Sequence, residues 1–190
     1  MRMRQLLAAG AASALFALPG WADEKAGARI SDSGKPALVD EGREDAMQKV
    51  GEARLKVLLW SVYDSRLYTP SGSYRDGDRP LRLEIQYLRD IKARALVDRT
   101  QVEWKAMGRS HPSQDSWLEE LVSIWPDIVS NDVLTLELDS DNVATFRHNG
   151  RLLGQIADPE FGQQFVDIWL STDSTRPELR LALIGRESAD

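Results

Sequence analysis

Residues 51–68, GEARLKVLLWSVYDSRLY, alternate on a two-residue period. That period marks a β-strand with one buried face, because successive side chains in a strand point to opposite sides of the sheet. Alternation sets Leu55, Val57, Leu59, Ser61, Tyr63, Ser65 and Leu67 on one face. Arg54, Lys56, Leu58, Trp60, Val62, Asp64, Arg66 and Tyr68 fall on the other. A turn inside the run exchanges the faces beyond it. The run reads as the central strands of a sheet, with tyrosines and arginines as its polar groups of any reach.

Further elements follow in order. Leu81, Leu83, Ile85 and Tyr87 alternate with polar neighbours, as in a half-exposed antiparallel strand. Asp90 is the expected N-cap of a helix running to about Met107, with Ala93, Leu96, Val97, Thr100, Trp104 and Met107 on its apolar stripe and Gly108 closing it. A second helix is expected over 114–125, stopped by Pro126. Strands at 133–138, 143–148 and 151–156 form a meander, and Asn149-Gly150 is a strong type I′ hairpin signal. Asp158-Pro159-Glu160 opens a third helix carrying Phe161, Phe165, Ile168 and Trp169. Thr175 with Glu178 three residues on reads as the capping box of a last helix, ended by Gly185. Strands, two helices, strands, two helices is the order of an α+β fold with helices layered on one face of an antiparallel sheet.

The 190 residues suffice for one domain with a core of its own. That domain is expected over 47–185, with a tail at 186–190 and a polar, flexible lead-in at 23–46 holding one short strand at 36–39. Residues 1–22 read as a Sec-type secretory signal: Arg2 and Arg4, an apolar run over 6–18, and small residues Gly20 and Ala22 before the cut expected after Ala22. The run is shorter than the roughly 20 residues a membrane span needs. No later run in the mature chain approaches that length, so a periplasmic location is expected. The chain has no cysteine, which excludes disulfides, thiol catalysis and cysteine metal sites. A formal charge of −6 argues against a nucleic-acid backbone or an anionic membrane surface as the main partner.

Chemistry is sparse. His111 and His148 each lack a second histidine or cysteine nearby and read as surface residues. Asp139, Asp141 and Asn142 read as a polar hairpin turn, since a calcium loop needs a glycine and a distal glutamate that are missing. No nucleophile elbow, phosphate loop or dinucleotide fingerprint occurs, and no metal or cofactor is expected. Trp60, Trp104, Trp117, Trp125 and Trp169 read chiefly as core. Arg54 with Tyr63 and Tyr68 remains. A buried arginine beside a tyrosine hydroxyl can clamp a carboxylate or enolate, the one supplying a planar fixed charge and the other a donor. The alternative is that Arg54 reaches solvent and the tyrosine hydroxyls cap the sheet edge.

Several segments together resemble the bacterial exported chalcone isomerase-like family. They are Gly51-Glu-Ala-Arg54, the run Val62-Tyr63-Asp64-Ser65-Arg66-Leu67-Tyr68, the helix stretch from Thr100 through Trp104 to Gly108, Asn149-Gly150, Phe165-x-x-Ile-Trp169 and Pro177-x-Leu-Arg180. The likeness covers about 47–185. It implies an open-faced β-sandwich, a large antiparallel sheet with a helical layer and a cleft between them. In the plant isomerases that cleft holds a flavonoid, with an arginine and a threonine on the first hairpin and a tyrosine and an asparagine on a helix. Plastid relatives bind fatty acids instead, with an arginine and a tyrosine near the carboxylate. Carried over, Arg54 takes the place of the arginine and Tyr63 lies near that of the threonine. The helix positions fall near Arg99 and Lys92, so the helix pair of the isomerases is replaced.

The resemblance therefore implies a non-catalytic periplasmic protein. It would bind a fatty-acid-like or other small hydrophobic carboxylate through Arg54, Tyr63 and Tyr68. One alternative is an intramolecular lyase using Arg54 and Tyr63 on another substrate. The other is a structural or interaction protein whose cleft is filled by its own side chains.

Overall fold

The computed structural model describes residues 47–186. The expected signal segment, the lead-in with its strand at 36–39, and residues 187–190 of the tail lie outside the described residues. Six strands form one antiparallel meander, each pairing with the next in sequence: β1 (Gln48–Val57), β2 (Trp60–Thr69), β3 (Leu81–Tyr87), β4 (Val133–Leu138), β5 (Ala144–His148) and β6 (Arg151–Ile156). Between β3 and β4 come α1 (Ala93–Ala106) and α2 (Gln114–Ile124). After β6 come α3 (Pro159–Leu170) and α4 (Pro177–Leu183). The architecture is α+β, as the order of patterns implies.

The 51–68 run is a hairpin at one edge of the sheet, not its centre, because β1 pairs with β2 alone. Val57 pairs with Trp60, leaving Leu58-Leu59 as a two-residue loop. That turn exchanges the faces, so Trp60 shares a face with Val57, and Ser61 shares one with Lys56. A bulge then exchanges them back, because Lys56 pairs with Ser61 while Leu55 pairs with Tyr63, and Val62 is the extra residue. From Tyr63 onward the faces are those of simple alternation.

One face of the sheet is the core. Ser65, Leu67, Leu83, Ile85, Tyr87, Leu134, Leu136, Ala144 and Phe146 are buried on it. The helices supply Val97, Trp104, Trp117, Leu121, Phe161, Phe165 and Leu183. The aromatic rings interlock edge to face, with Trp104–Trp117 and Trp104–Phe161 centroids 6.0 and 6.4 Å apart. Trp60 is the exception among the expected core tryptophans and stands largely in solvent. The other face carries cross-strand charge: Glu52, Arg66 and Glu84 lie in one row, Arg54, Asp64 and Gln86 in the next.

Local signals hold where no distant partner competes. Asn149 and Gly150 are both left-handed, at φ 50° and 78°, as a type I′ turn needs. Asp158 caps α3, its carboxylate accepting from the Glu160 amide at 3.0 Å. Asp90 does not cap α1. It accepts from the Ser130 amide at 2.8 Å, and Asp127, from beyond α2, accepts from the Ala93 amide at 2.9 Å. α1 accordingly begins at Ala93. Nor does Thr175 cap α4: its hydroxyl donates to Glu103 at 2.6 Å, and α4 starts at Pro177.

Gly51 determines how α4 lies on β1. A Cβ there would sit 2.2 Å from the Ala182 carbonyl oxygen and 2.6 Å from that of Leu183. Only a residue without a side chain lets the last turn of α4 rest on the strand.

Candidate functional site

Strand parity decides which of Arg54, Tyr63 and Tyr68 can share a site. Tyr63 pairs with Leu55 on the helix-facing side. Arg54 pairs with Asp64 on the opposite side and grips its carboxylate with two bonds, Nε to Oδ1 at 2.5 Å and Nη2 to Oδ2 at 2.7 Å. Its guanidinium is half in solvent. The Arg54 fork holds the Asp64 carboxyl below its usual range. Tyr68 also lies on that side; its hydroxyl donates to Glu84 at 3.2 Å and the Arg82 guanidinium sits 4.9 Å over its ring. The structure thus separates the expected trio. Arg54 and Tyr68 belong to the charged outer face, and Tyr63 alone enters the sheet–helix layer.

Four elements converge on Tyr63. From α3, the Trp169 indole N–H donates to its hydroxyl at 3.0 Å. From β3, Tyr87 meets its ring edge-on, centroids 6.0 Å apart. From α1, Glu103 is buried, bonded by Arg99 one turn earlier and by the Thr175 hydroxyl. From the α3–α4 connection comes Arg176. Tyr63, Trp169, Glu103, Thr175 and Arg176 enclose a cavity of about 20 Å³, with Leu55, Ile168 and Leu179 as its apolar walls. That is room for about one water molecule. Below it, Trp104, Trp117, Phe146, Phe161 and Phe165 fill the layer.

Burial pushes the Tyr63 hydroxyl up to about 12; the Trp169 N–H and the positive Arg176 and Arg99 lower it, and Glu103 raises it. Burial likewise raises Tyr87. Tyr63 is therefore protonated at neutral pH and available as a donor. Arg176 is half-buried, lines the cavity and makes no ion pair with a carboxylate among the described residues, although Glu103 lines the same cavity. A cation and a phenol lining one pocket can take a carboxylate head group where Arg99 and Thr175 hold the neighbouring Glu103 carboxylate.

Sequence reasoning found Tyr63 and missed Glu103, Trp169 and Arg176 as its neighbours. Glu103 had a faint signal: it is four residues after Arg99, the spacing of a helical ion pair, and flanks the Thr100–Trp104 stripe. Arg176 had none, since nothing local ties it to β2.

The two histidines are each matched to a carboxylate. His111 stacks on Trp117 with centroids 4.5 Å apart and meets Glu160 at 3.0 Å. His148 meets Asp132 at 2.9 Å. No group of three or more metal-ligating side chains is gathered among the described residues. A wider groove of about 470 Å³ runs between α1 and α2, but its walls mix Arg94, Asp98, Asp115 and Glu119 with Val97, Leu118 and Val122. No helix of the described residues is long and apolar enough to cross a membrane.

Comparison with known proteins bears on the fold and the family. The crystal structure of an Arabidopsis thaliana fatty-acid binding protein superposes with a TM-score of 0.60 over 74% of this chain and 88% of that one, at 15% identity. At that identity the likeness is one of fold. A protein of Haemophilus influenzae, described as uncharacterized, is 28% identical over 143 residues, which are 75% of this chain and 70% of that protein. Residues 49–185 match the family described as chalcone isomerase-like, and the chain belongs to that family.

Proposed function

We propose that this is a non-catalytic binding protein of the chalcone isomerase fold, taking a small hydrophobic carboxylate at the Tyr63–Arg176 end of its cleft. The observation that carries this reading is Arg176, a half-buried cation that lines the cavity with Tyr63, acts on its hydroxyl through space and makes no ion pair with a carboxylate among the described residues. Arg176 takes the role that the resemblance implied for Arg54, which is spent on Asp64 across the sheet. The fold neighbour that binds fatty acids supports an acyl ligand of this class.

Binding opens the seam between α4 and the β1–β2 hairpin, because a cavity of about 20 Å³ holds no acyl tail. Leu55, Ile168 and Leu179 part to receive it. Catalysis is disfavoured by the same groups. Tyr63 holds its proton at neutral pH and so is no general base there, and the Glu103 carboxylate is engaged by Arg99 and Thr175. The secretory character of residues 1–22 supports a periplasmic setting. Cell fractionation with N-terminal sequencing tests that, with mature protein expected to start at Asp23.

The experiment for the ligand is calorimetric titration with octanoate and decanoate. Arg176→Gln and Tyr63→Phe are each expected to weaken binding about tenfold or more, the usual cost of losing a charge-assisted bond. Arg54→Ala is expected to leave it unchanged. A second reading, a protein whose cleft is filled by its own side chains and which works through its surface, is favoured by the small cavity. Absence of acyl binding by the unmodified protein decides for it.

A further inference from the structure

Four consecutive apolar side chains stand in solvent at the tip of the β1–β2 hairpin. Val57, Leu58, Leu59 and Trp60 are 37, 82, 96 and 63% exposed. Isolated exposed apolar residues are ordinary, but a contiguous cluster marks an interaction site.

The backbone at the tip makes the case stronger. Leu58 has φ +55°, the left-handed region that glycine and asparagine enter at little cost and a bulky branched residue rarely does. Two-residue hairpin loops draw on Gly, Asn and Asp for this reason. The chain obeys that rule at its other two-residue loop, Asn149-Gly150. At β1–β2 it places two leucines instead, where neither burial nor backbone preference favours them. Backbone strain at an exposed point is a pointer to function.

Next below the apolar tip come Lys56, paired with Ser61, and the Arg89 side chain. Lys56 lies one residue below Val57, and the Arg89 guanidinium sits 5.0 Å over the Trp60 ring. Along the hairpin axis the order is leucine apex, then Val57 and Trp60, then Lys56 and Arg89. A bilayer surface has the same order in depth: acyl chains, the interface that favours indole rings, and the phosphates that Lys and Arg reach. A protein groove asks for apolar area but sets no such sequence of layers. We propose that the β1–β2 hairpin tip docks on a phospholipid surface, with Leu58 and Leu59 inserted, Trp60 at the interface and Lys56 on lipid phosphate.

The formal charge of −6 opposes an anionic surface at long range, so the apolar tip supplies the attraction and the contact is shallow and reversible. The inference stands apart from the ligand reading, although Leu55 and Tyr63 of the same hairpin wall the cavity.

The test is flotation of the full chain with vesicles of phosphatidylcholine and phosphatidylglycerol in a 3:1 ratio, compared with Leu58→Gly combined with Leu59→Asn. That pair restores favoured turn residues, so it retains the fold and raises the melting temperature while removing the apolar apex. The expected result is at least a tenfold loss of vesicle affinity. Residues 1–22 are present in both proteins, so any binding through them is common to both. Brominated acyl chains are expected to quench the unmodified protein and to quench Trp60→Phe less. Equal flotation of the two proteins overturns the proposal, as does failure of the unmodified protein to float. A dimer that the double substitution dissociates, with no lipid binding by either protein, also overturns it and assigns the tip to a second copy of the chain.

Discussion

Trp169 donates its indole N–H to the Tyr63 hydroxyl at 3.0 Å, tying α3 to β2 across 106 residues of sequence. The bond is enclosed, so each partner depends on the other. Tyr63→Phe leaves the indole N–H without its acceptor and is expected to destabilise the protein by about 1–2 kcal/mol. Chemical denaturation measures this. Tyr63→Phe combined with Trp169→Phe is expected to cost less than the sum of the single changes.

The same hydroxyl makes stability pH-dependent in alkali. Its folded value of about 12 lies above that of an unfolded tyrosine, near 10. The folded state holds the proton more tightly. This contribution is fully present below pH 10 and is lost as pH rises from 10 through 12, to the extent of about 2 kcal/mol. Phenolate absorbance is expected to show one fewer late-titrating tyrosine in Tyr63→Phe, with the buried Tyr87 remaining.

Asp132 gives the acid counterpart. Burial alone would raise its carboxyl, but bonds from the Asn149 side chain at 2.8 Å, the Val129 amide at 2.9 Å and His148 at 2.9 Å outweigh it and lower it to about 2. The folded value is depressed, so the stabilisation is present above about pH 4 and is lost as pH falls through 2. Screening by solvent leaves it at about 1 kcal/mol. Denaturation midpoints between pH 5 and pH 2 are expected to fall less steeply in Asp132→Asn.

Gly51→Ala sets a methyl group against the Ala182 and Leu183 carbonyls, at 2.2 and 2.6 Å. Backbone cannot swing aside as a side chain can, so α4 must lift from β1. The expected cost is about 3 kcal/mol, with α4 amides exchanging faster than those of α3.

Glu103→Ala removes a buried carboxylate that accepts from Thr175 at 2.6 Å and from Arg99. About 2–3 kcal/mol of stability is expected to go, because polar groups that faced it lose a charged acceptor. Glu103→Gln is expected to cost less. Calorimetric melting separates the two.

Most of the fold was legible because its signals are local. The Asn149-Gly150 turn, the Asp158 cap and the strand periodicities each rest on a few adjacent residues, and each appears as its pattern implied. Asp90 and Thr175 carry equally good local signals but were taken by Ser130 and Glu103, partners 40 and 72 residues away. In the 51–68 run, the hairpin turn and the Val62 bulge cancel, so simple alternation gives the right faces for Arg54, Tyr63 and Tyr68. Alternation alone does not say which face meets the helices.

What the sequence by itself determined is the α+β order, an antiparallel sheet with helices on one face and the family, all properties of short-range pattern and chain order. Only the tertiary structure decided that Tyr63 faces the cleft with Arg176 while Arg54 is bound to Asp64 outside it. It also decided that the cleft closes to about 20 Å³. The physical reason is that a cavity is what remains after side chains from separate elements have packed. Its volume and charge depend on all of them together, through no spacing that a single stretch of chain contains.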